Sequence, residues 1–270
     1  MKKIILSLAI IAVVGAIVVG ATTAFFSDTE TSTGNTFTAG AIDLKIDNTC
    51  HYNGGECVCN NDNVCTWNGG PYNGEPCSCT WLSKDLDGDV FFNFNDVKPG
   101  DYGEDTISFD LTSNPAWACV YVENIVDTDN TCVEPEVEAE GSDCAPTNDG
   151  ELDENLHITA WLETDCDNVL DSGEEIIVDN KLLSNYIDGQ TSFVIPVADN
   201  SDDSLRGNGV PLPQGHYCVG IAWCLGTVKA DGSCDGTNVG NEVQTDKVGA
   251  NLKFYVEQAR NNSGFTCVGN

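Results

Sequence analysis

Two residue patterns in this chain have types and spacings that could do chemistry. The first is a set of fourteen cysteines. Six of them, Cys50, Cys57, Cys59, Cys65, Cys77 and Cys79, fall close together and include two Cys-x-Cys pairs. The others, Cys119, Cys132, Cys144, Cys166, Cys218, Cys224, Cys234 and Cys267, are scattered. Thiolates could hold zinc, but the Cys-x-x-Cys spacing of zinc knuckles is absent. An even count behind an export segment reads instead as disulfides. Residues two apart rarely bridge each other, so each Cys-x-Cys is expected to bind two different partners.

The second pattern is Asp165-Cys166-Asp167-Asn168-Val169-Leu170-Asp171-Ser172-Gly173-Glu174. Asp165, Asp167, Asp171 and Glu174 could offer a calcium ion the hard oxygen ligands it takes. The loop is not an EF-hand, because Val169 occupies a ligand position, Gly173 is misplaced and no helices flank it. A solvated acidic hairpin is the alternative. Asp85-Leu86-Asp87-Gly88-Asp89 is a weaker version of the same idea.

Catalytic signals are missing. His51, His157 and His216 are widely separated and form no His-Glu-x-x-His run, and no Gly-x-Ser-x-Gly elbow or phosphate-cradling loop occurs. Trp67 and Trp81, inside the cysteine cluster, are expected to be exposed and could stack on a sugar. The expectation is a protein that is not an enzyme.

The elements that must position these residues are strands. Period-2 alternation marks Ile42–Ile46, Ile107–Leu111, Leu156–Leu162, Phe193–Val197, Val219–Trp223 and Leu252–Val256. Val90–Phe94, Trp117–Ile125 and Glu175–Val178 bring the total to about nine strands. Only Asn180–Ile187 reads as helical. An all-β fold of two packed sheets follows, a jelly-roll β-sandwich over residues 36–260. Residues 47–84 form a Cys-rich insertion too poor in aliphatics to build its own core. Residues 127–155 form an acidic loop insertion, Gly226–Asp246 a third excursion, and 261–270 a C-terminal tail.

Lys2, Lys3 and the apolar run Ile4–Val19 read as a signal peptide, residues 1–24, cut after Ala24; an uncleaved anchor is the alternative. The chain carries 11 basic and 43 acidic residues. That balance excludes nucleic acid as a partner, because phosphate contacts need clustered Lys and Arg. Membrane contact is expected only during export.

Behind the leader lies an arm, residues 25–35, containing Phe25, Phe26, Ser27, Asp28, Thr29, Thr31 and Thr33. It has no cysteine tether, and pairing with a neighbour's sheet edge would satisfy its backbone. Such a contact is head-to-tail and makes a fibre when it does not close. A self-packed terminus is the alternative.

Ala24-Phe25-Phe26-Ser27-Asp28 and Thr36-Phe37-Thr38-Ala39-Gly40-Ala41-Ile42-Asp43-Leu44 resemble the start of the TasA and camelysin family, which is exported through a SipW-type signal peptidase. Asn95-Asp96-Val97-Lys98-Pro99-Gly100-Asp101, Ile107–Asn114 and Leu252–Gln258 resemble later family segments in the same order. The resemblance implies a jelly-roll subunit of an extracellular, biofilm-type fibre, whose partner is itself and whose N-terminal strand is donated to the next copy. Other matrix or cell-surface components are further expected partners. The fourteen cysteines depart from that family's pattern. A monomeric surface module binding carbohydrate or a partner is the alternative function.

Overall fold

The computed structural model describes residues 27–31 by their backbone, and 43–94, 96–112, 114–141, 144 and 149–268 in full. The expected signal peptide, Phe25, Phe26, Thr33 and Ile42 lie outside these residues. The strands are β1 (Ser27–Thr31), β2 (Leu44–Tyr52), β3 (Gly55–Cys59), β4 (Cys65–Gly69), β5 (Trp81–Lys84), β6 (Tyr102–Leu111), β7 (Ala116–Thr128), β8 (Leu156–Glu163), β9 (Glu175–Leu182), β10 (Ser192–Ala198), β11 (Gly215–Leu225), β12 (Thr227–Val228), β13 (Cys234–Asp235) and β14 (Lys247–Gln258). Three short helices accompany them: α1 (Glu134–Glu140), α2 (Leu152–Asn155) and α3 (Ser184–Ile187).

A smaller sheet runs β1-β14-β7-β10, and a larger one runs β4-β3-β2-β6-β11-β8-β9 with β5 beside β2. The pairings within both sheets are antiparallel. Leu44 and Ile46 of β2 and Ile107, Phe109 and Leu111 of β6 meet Trp117, Val197, Phe254 and Val256 of the smaller sheet in one core. Burying each such side chain contributes about 1.5–3 kcal/mol, which is why period-2 alternation fixes which face turns inward.

One strand serves two cores. Residues 44, 46, 48, 50 and 52 of β2 form a single buried row. Leu44 and Ile46 enter the main core, whereas Cys50 and Tyr52 enter a second one with Cys57, Trp67, Cys79 and Trp223. Between them sits Asn48, whose Nδ2 donates to the Cys79 carbonyl at 2.6 Å and to Asp105 Oδ1 at 3.0 Å. Tyr52 gathers Trp67, Tyr72, Phe94 and Trp223 around it, with ring centroids 4.9–5.9 Å away.

The seven disulfides are Cys50–Cys79, Cys57–Cys77, Cys59–Cys65, Cys119–Cys267, Cys132–Cys144, Cys166–Cys218 and Cys224–Cys234. Each Cys-x-Cys binds two different partners, and the six clustered cysteines close on themselves. Asn53-Gly54 makes the tight turn from β2 to β3, with both residues left-handed at φ 48° and 78°.

Several expectations need correction. The cysteine insertion does have a core, because aromatic rings and cystines replace the missing aliphatics. Trp67 is buried in it at 8% exposure, and Trp81 packs half-buried against Phe91. Val90–Phe94 is not a strand: Phe91 leaves the ladder to wedge between Trp81 and Phe254. Of Asn180–Ile187, the first three residues finish β9 and only Ser184–Ile187 is helical. The acidic 127–155 stretch is not all loop, since Pro135 near the start of α1 and acids in its first turn favour a helix there. In β8 the buried residues are Trp161 and Glu163 rather than Ala160 and Leu162. Gly220, opposite Trp161, has no side chain, and a Cβ there would overlap the indole. Residues 261–268 are no free tail: Cys267 is bridged to Cys119, and Trp117 Nε1 donates to the Asn262 carbonyl at 2.7 Å.

Candidate functional site

The described part of the arm is an edge strand. Ser27, Asp28, Thr29, Glu30 and Thr31 stand opposite Glu257, Val256, Tyr255, Phe254 and Lys253 of β14. Without β1, this stretch of β14 would expose an unpaired row of backbone groups. The sequence Ser-Asp-Thr-Glu-Thr is polar at every position, so neither row of β1 carries an apolar signal that fixes its register. Strands polar on both rows are weakly specified and prone to alternate pairing. The ground beneath is firm, because Phe254 and Val256 are 7% and 2% exposed within the main core.

The far edge of the same sheet is blunted. β10 carries Pro196, which donates no ladder hydrogen bond, and its register shifts between Pro196 and Ala198. On the opposite side of this sheet, β14 carries the further strand β1.

The acidic hairpin after β8 is a strap over the larger sheet. Cys166 ties it to Cys218 on β11, and Asn168 reaches Thr106 Oγ1 and His51 Nδ1. Asp165 and Glu174 come together with Glu163, one oxygen of each lying within 4.8 Å of the others. Backbone groups already engage much of this set. Glu174 accepts from Thr164 N at 2.7 Å and Asp171 N at 2.8 Å, which holds its carboxyl below the usual range. Asp167 Oδ1 accepts from Val169 N at 3.0 Å. Asp171 joins through its main chain. Glu163 escaped the sequence reading because it sits inside a strand, where an acid reads as an outward residue. The weaker Asp85–Asp89 run spends Asp89 on Lys84, 2.7 Å away.

The three histidines lie on different strands. His51 is opposite Glu104 and His216 opposite Asp110 on β6, six positions apart, or about 20 Å at the strand rise. His157 lies opposite Cys224 on β11, three strands across from β2, or about 14 Å. His216 Nδ1 is engaged by Asp110 at 2.8 Å, and burial pushes His51 down.

Fold and edge together define a disulfide-rich, antiparallel β protein whose N-terminal strand completes a sheet. Residues 1–55 match the family described as camelysin metallo-endopeptidase, the TasA/camelysin family of the sequence resemblance. That span covers the expected signal peptide and arm, β2 and the turn into β3, so most of both sheets falls outside the match. No curated protein matches the chain. The family description implies a metal, and a peptidase zinc needs histidines that converge on one ion. The strand positions keep these three apart. The cysteines near His216, Cys166 and Cys218, are joined to each other and offer no thiolate. The described residues therefore do not fit a histidine-built zinc centre. Among them no helix is long and apolar enough to cross a membrane.

Proposed function

We propose that this protein is a secreted structural subunit of an extracellular filament, assembling head-to-tail as each copy lays residues 25–35 along β14 of the next. The observation that carries this reading is the pairing of Ser27–Thr31 with Lys253–Glu257. The β14 edge accepts a strand of this sequence, and a neighbour's arm can use the same register through main-chain hydrogen bonds. Residues 32–42, fully extended, reach at most about 40 Å, enough to pass the arm to another copy. In this reading the cis pairing is the monomer's resting state, and assembly exchanges one strand for an identical one. Intramolecular pairing holds the arm at an effective concentration in the millimolar range, so assembly should be slow, concentration-dependent and helped by seeds.

Seven disulfides and the resemblance of the leader support export into an oxidising space. The wiring of the two sheets is read as a jelly roll, with the cysteine-rich cap facing other matrix or cell-surface components. The chain is read as a building element with no reaction to catalyse. Burial of Trp67, and the packing of half-buried Trp81 against Phe91, weigh against the carbohydrate-binding alternative, which rested on those two rings.

The test compares protein starting at Phe25 with protein starting at Thr36, by electron microscopy and sedimentation. Filaments in the first and monomers in the second are expected. Filaments that persist without residues 25–35 would sink the proposal, as would a full-length protein that stays monomeric when concentrated and seeded.

A further inference from the structure

Where β7 leaves the smaller sheet and β14 enters it, carboxylates crowd together with few partners. Asp129 follows β7, Glu136 lies in α1 and Asp246 precedes β14, and one oxygen of each lies within 4.8 Å of the others. Glu136 is fully buried and Asp129 is 4% exposed. Asp129 Oδ1, Glu136 Oε1 and Asp246 Oδ1 are all buried without a hydrogen-bond partner, and beside them the Glu140 and Glu151 carboxyls meet each other with no N–H or hydroxyl donor at Glu140 Oε1 or Glu151 Oε2.

Two of these carboxylates are aimed by the backbone. Glu136 Oε2 accepts from Val133 N at 2.9 Å, and Asp246 Oδ2 accepts from Glu151 N at 2.7 Å. Each therefore has one oxygen held by an amide and the other left toward the shared space. The loops that carry the cluster are fastened as well. Cys132–Cys144 brackets α1, Asn130 Nδ2 donates to the Thr245 carbonyl at 2.6 Å, and Thr245 Oγ1 donates to the Thr131 carbonyl at 2.6 Å.

A second cluster shares the same scaffold. Asp127, Asp153 and Asp188 bring one oxygen each within 4.8 Å. Asp153 is 1% exposed, and its oxygens meet no N–H or hydroxyl donor, only the neighbouring carboxyl of Asp188. Asp127 and Asp129 are two residues apart at the end of β7, and Glu151 and Asp153 are two apart at α2, so the clusters are neighbours.

Buried carboxylates without partners are unfavourable unless something neutralises them. None of the six ion pairs among the described residues involves any of these eight acids. The donors are all carboxylate oxygens, which select a hard cation and disfavour softer metals. Calcium takes six to eight oxygens in adaptable geometry, whereas magnesium demands a near-ideal octahedron. We infer that the structure holds two neighbouring calcium sites, one formed by Asp129, Glu136 and Asp246 with Glu140 and Glu151, the other by Asp127, Asp153 and Asp188. The ions would clamp the acidic 127–155 excursion onto the ends of β7 and β14.

The experiment titrates chelator-treated protein with calcium chloride by calorimetry and follows thermal unfolding in calcium and in chelator. Glu136→Gln and Asp153→Asn test the two clusters, and the Asp165→Asn/Glu174→Gln pair tests the hairpin after β8. Calcium is expected to bind and to raise the melting temperature by several degrees. Each of the first two variants should weaken binding at its own site at least tenfold. In chelator each should melt at or above the parent temperature, because the neutral amide removes repulsion. A purely structural carboxylate would instead lower the melting temperature in chelator. Absence of calcium binding by the parent overturns the inference, as does binding undiminished in both variants. Binding abolished only by the hairpin pair does the same. Should either variant fail to fold, hydrogen exchange of the parent decides: calcium must slow exchange across residues 129–153 and 241–247, and unchanged exchange there overturns the inference.

Discussion

Replacing Asp105 by asparagine should shift the stability difference between variant and parent in the variant's favour as pH rises. Asp105 lies in β6 with no solvent exposure, its Oδ1 accepting from Asn48 Nδ2 and its Oδ2 buried without a partner. Burial pushes its carboxyl well above the usual range; the Asn48 hydrogen bond only partly offsets this, and Glu104 adds to it. In the unfolded chain the group titrates near the ordinary aspartate value of about 4. The folded state thus keeps a proton that the unfolded state releases. The contribution is fully present below pH of about 4 and is lost as pH rises toward the folded value, by up to about 1.4 kcal/mol per pH unit. Between pH 5 and 7 the parent should therefore lose stability through this residue, at no more than about 1.4 kcal/mol per pH unit. Asparagine does not titrate, and the remaining carboxylates are common to both proteins and largely cancel. The new amide NH2 changes the local hydrogen bonding around Asn48, a pH-independent offset of about 1–3 kcal/mol at most, so the slope of the difference is the readout and not its offset. Urea unfolding followed by tryptophan fluorescence at pH 5, 6 and 7 measures it. Parallel pH profiles for the two proteins would refute the reasoning.

Three further outcomes are expected. Removing Cys119–Cys267, whose cysteines are 148 residues apart, should cost about 5 kcal/mol, against about 3 kcal/mol for Cys224–Cys234 with a separation of 10, read as urea stability. Gly220→Ala should displace the Trp161 indole and cost about 1–3 kcal/mol or more, seen as a loss of near-ultraviolet circular dichroism and a lower melting temperature. Trp67→Ala should empty the second core at about 3–5 kcal/mol and open the cysteine cap to proteolysis, while the β1–β14 pairing keeps its hydrogen-exchange protection.

Alternation made much of the fold legible. The runs at Ile107–Leu111 and Leu252–Val256 are strands because each buries one face against a shared core, which is the physical origin of the pattern. The signal failed where burial comes from something other than aliphatic alternation. Tyr52, Trp67 and Trp223 build a core out of rings and cystines, and Trp161 is buried because Gly220 leaves room for it. Phe91 packs as a wedge, and no period marks a wedge. For the candidate edge, the polar run Ser27–Thr31 could be read as an arm that pairs, while its register on β14 could not, since such a strand has no apolar row to count. The acidic clusters were hidden for a different reason. Asp129, Glu136 and Asp246 are far apart in sequence, and only the ends of β7 and β14 bring them together, whereas Asp165–Glu174 drew attention because its acids are consecutive.

The bridge between Cys119 and Cys267 also fixes how the molecule carries load. β14 pairs with β7 along nearly its whole length, and the segment leaving β14 is covalently fastened to β7 at Cys119. Tension entering through β1 passes into β14 and then into a corner that cannot be peeled without breaking a covalent bond. The β1–β14 joint has five residue pairs, no crosslink and no apolar row, so in the proposed filament it is the fuse between subunits. A filament assembled this way is expected to open at that joint under strain before the body unfolds, and because nothing covalent is lost, to close again.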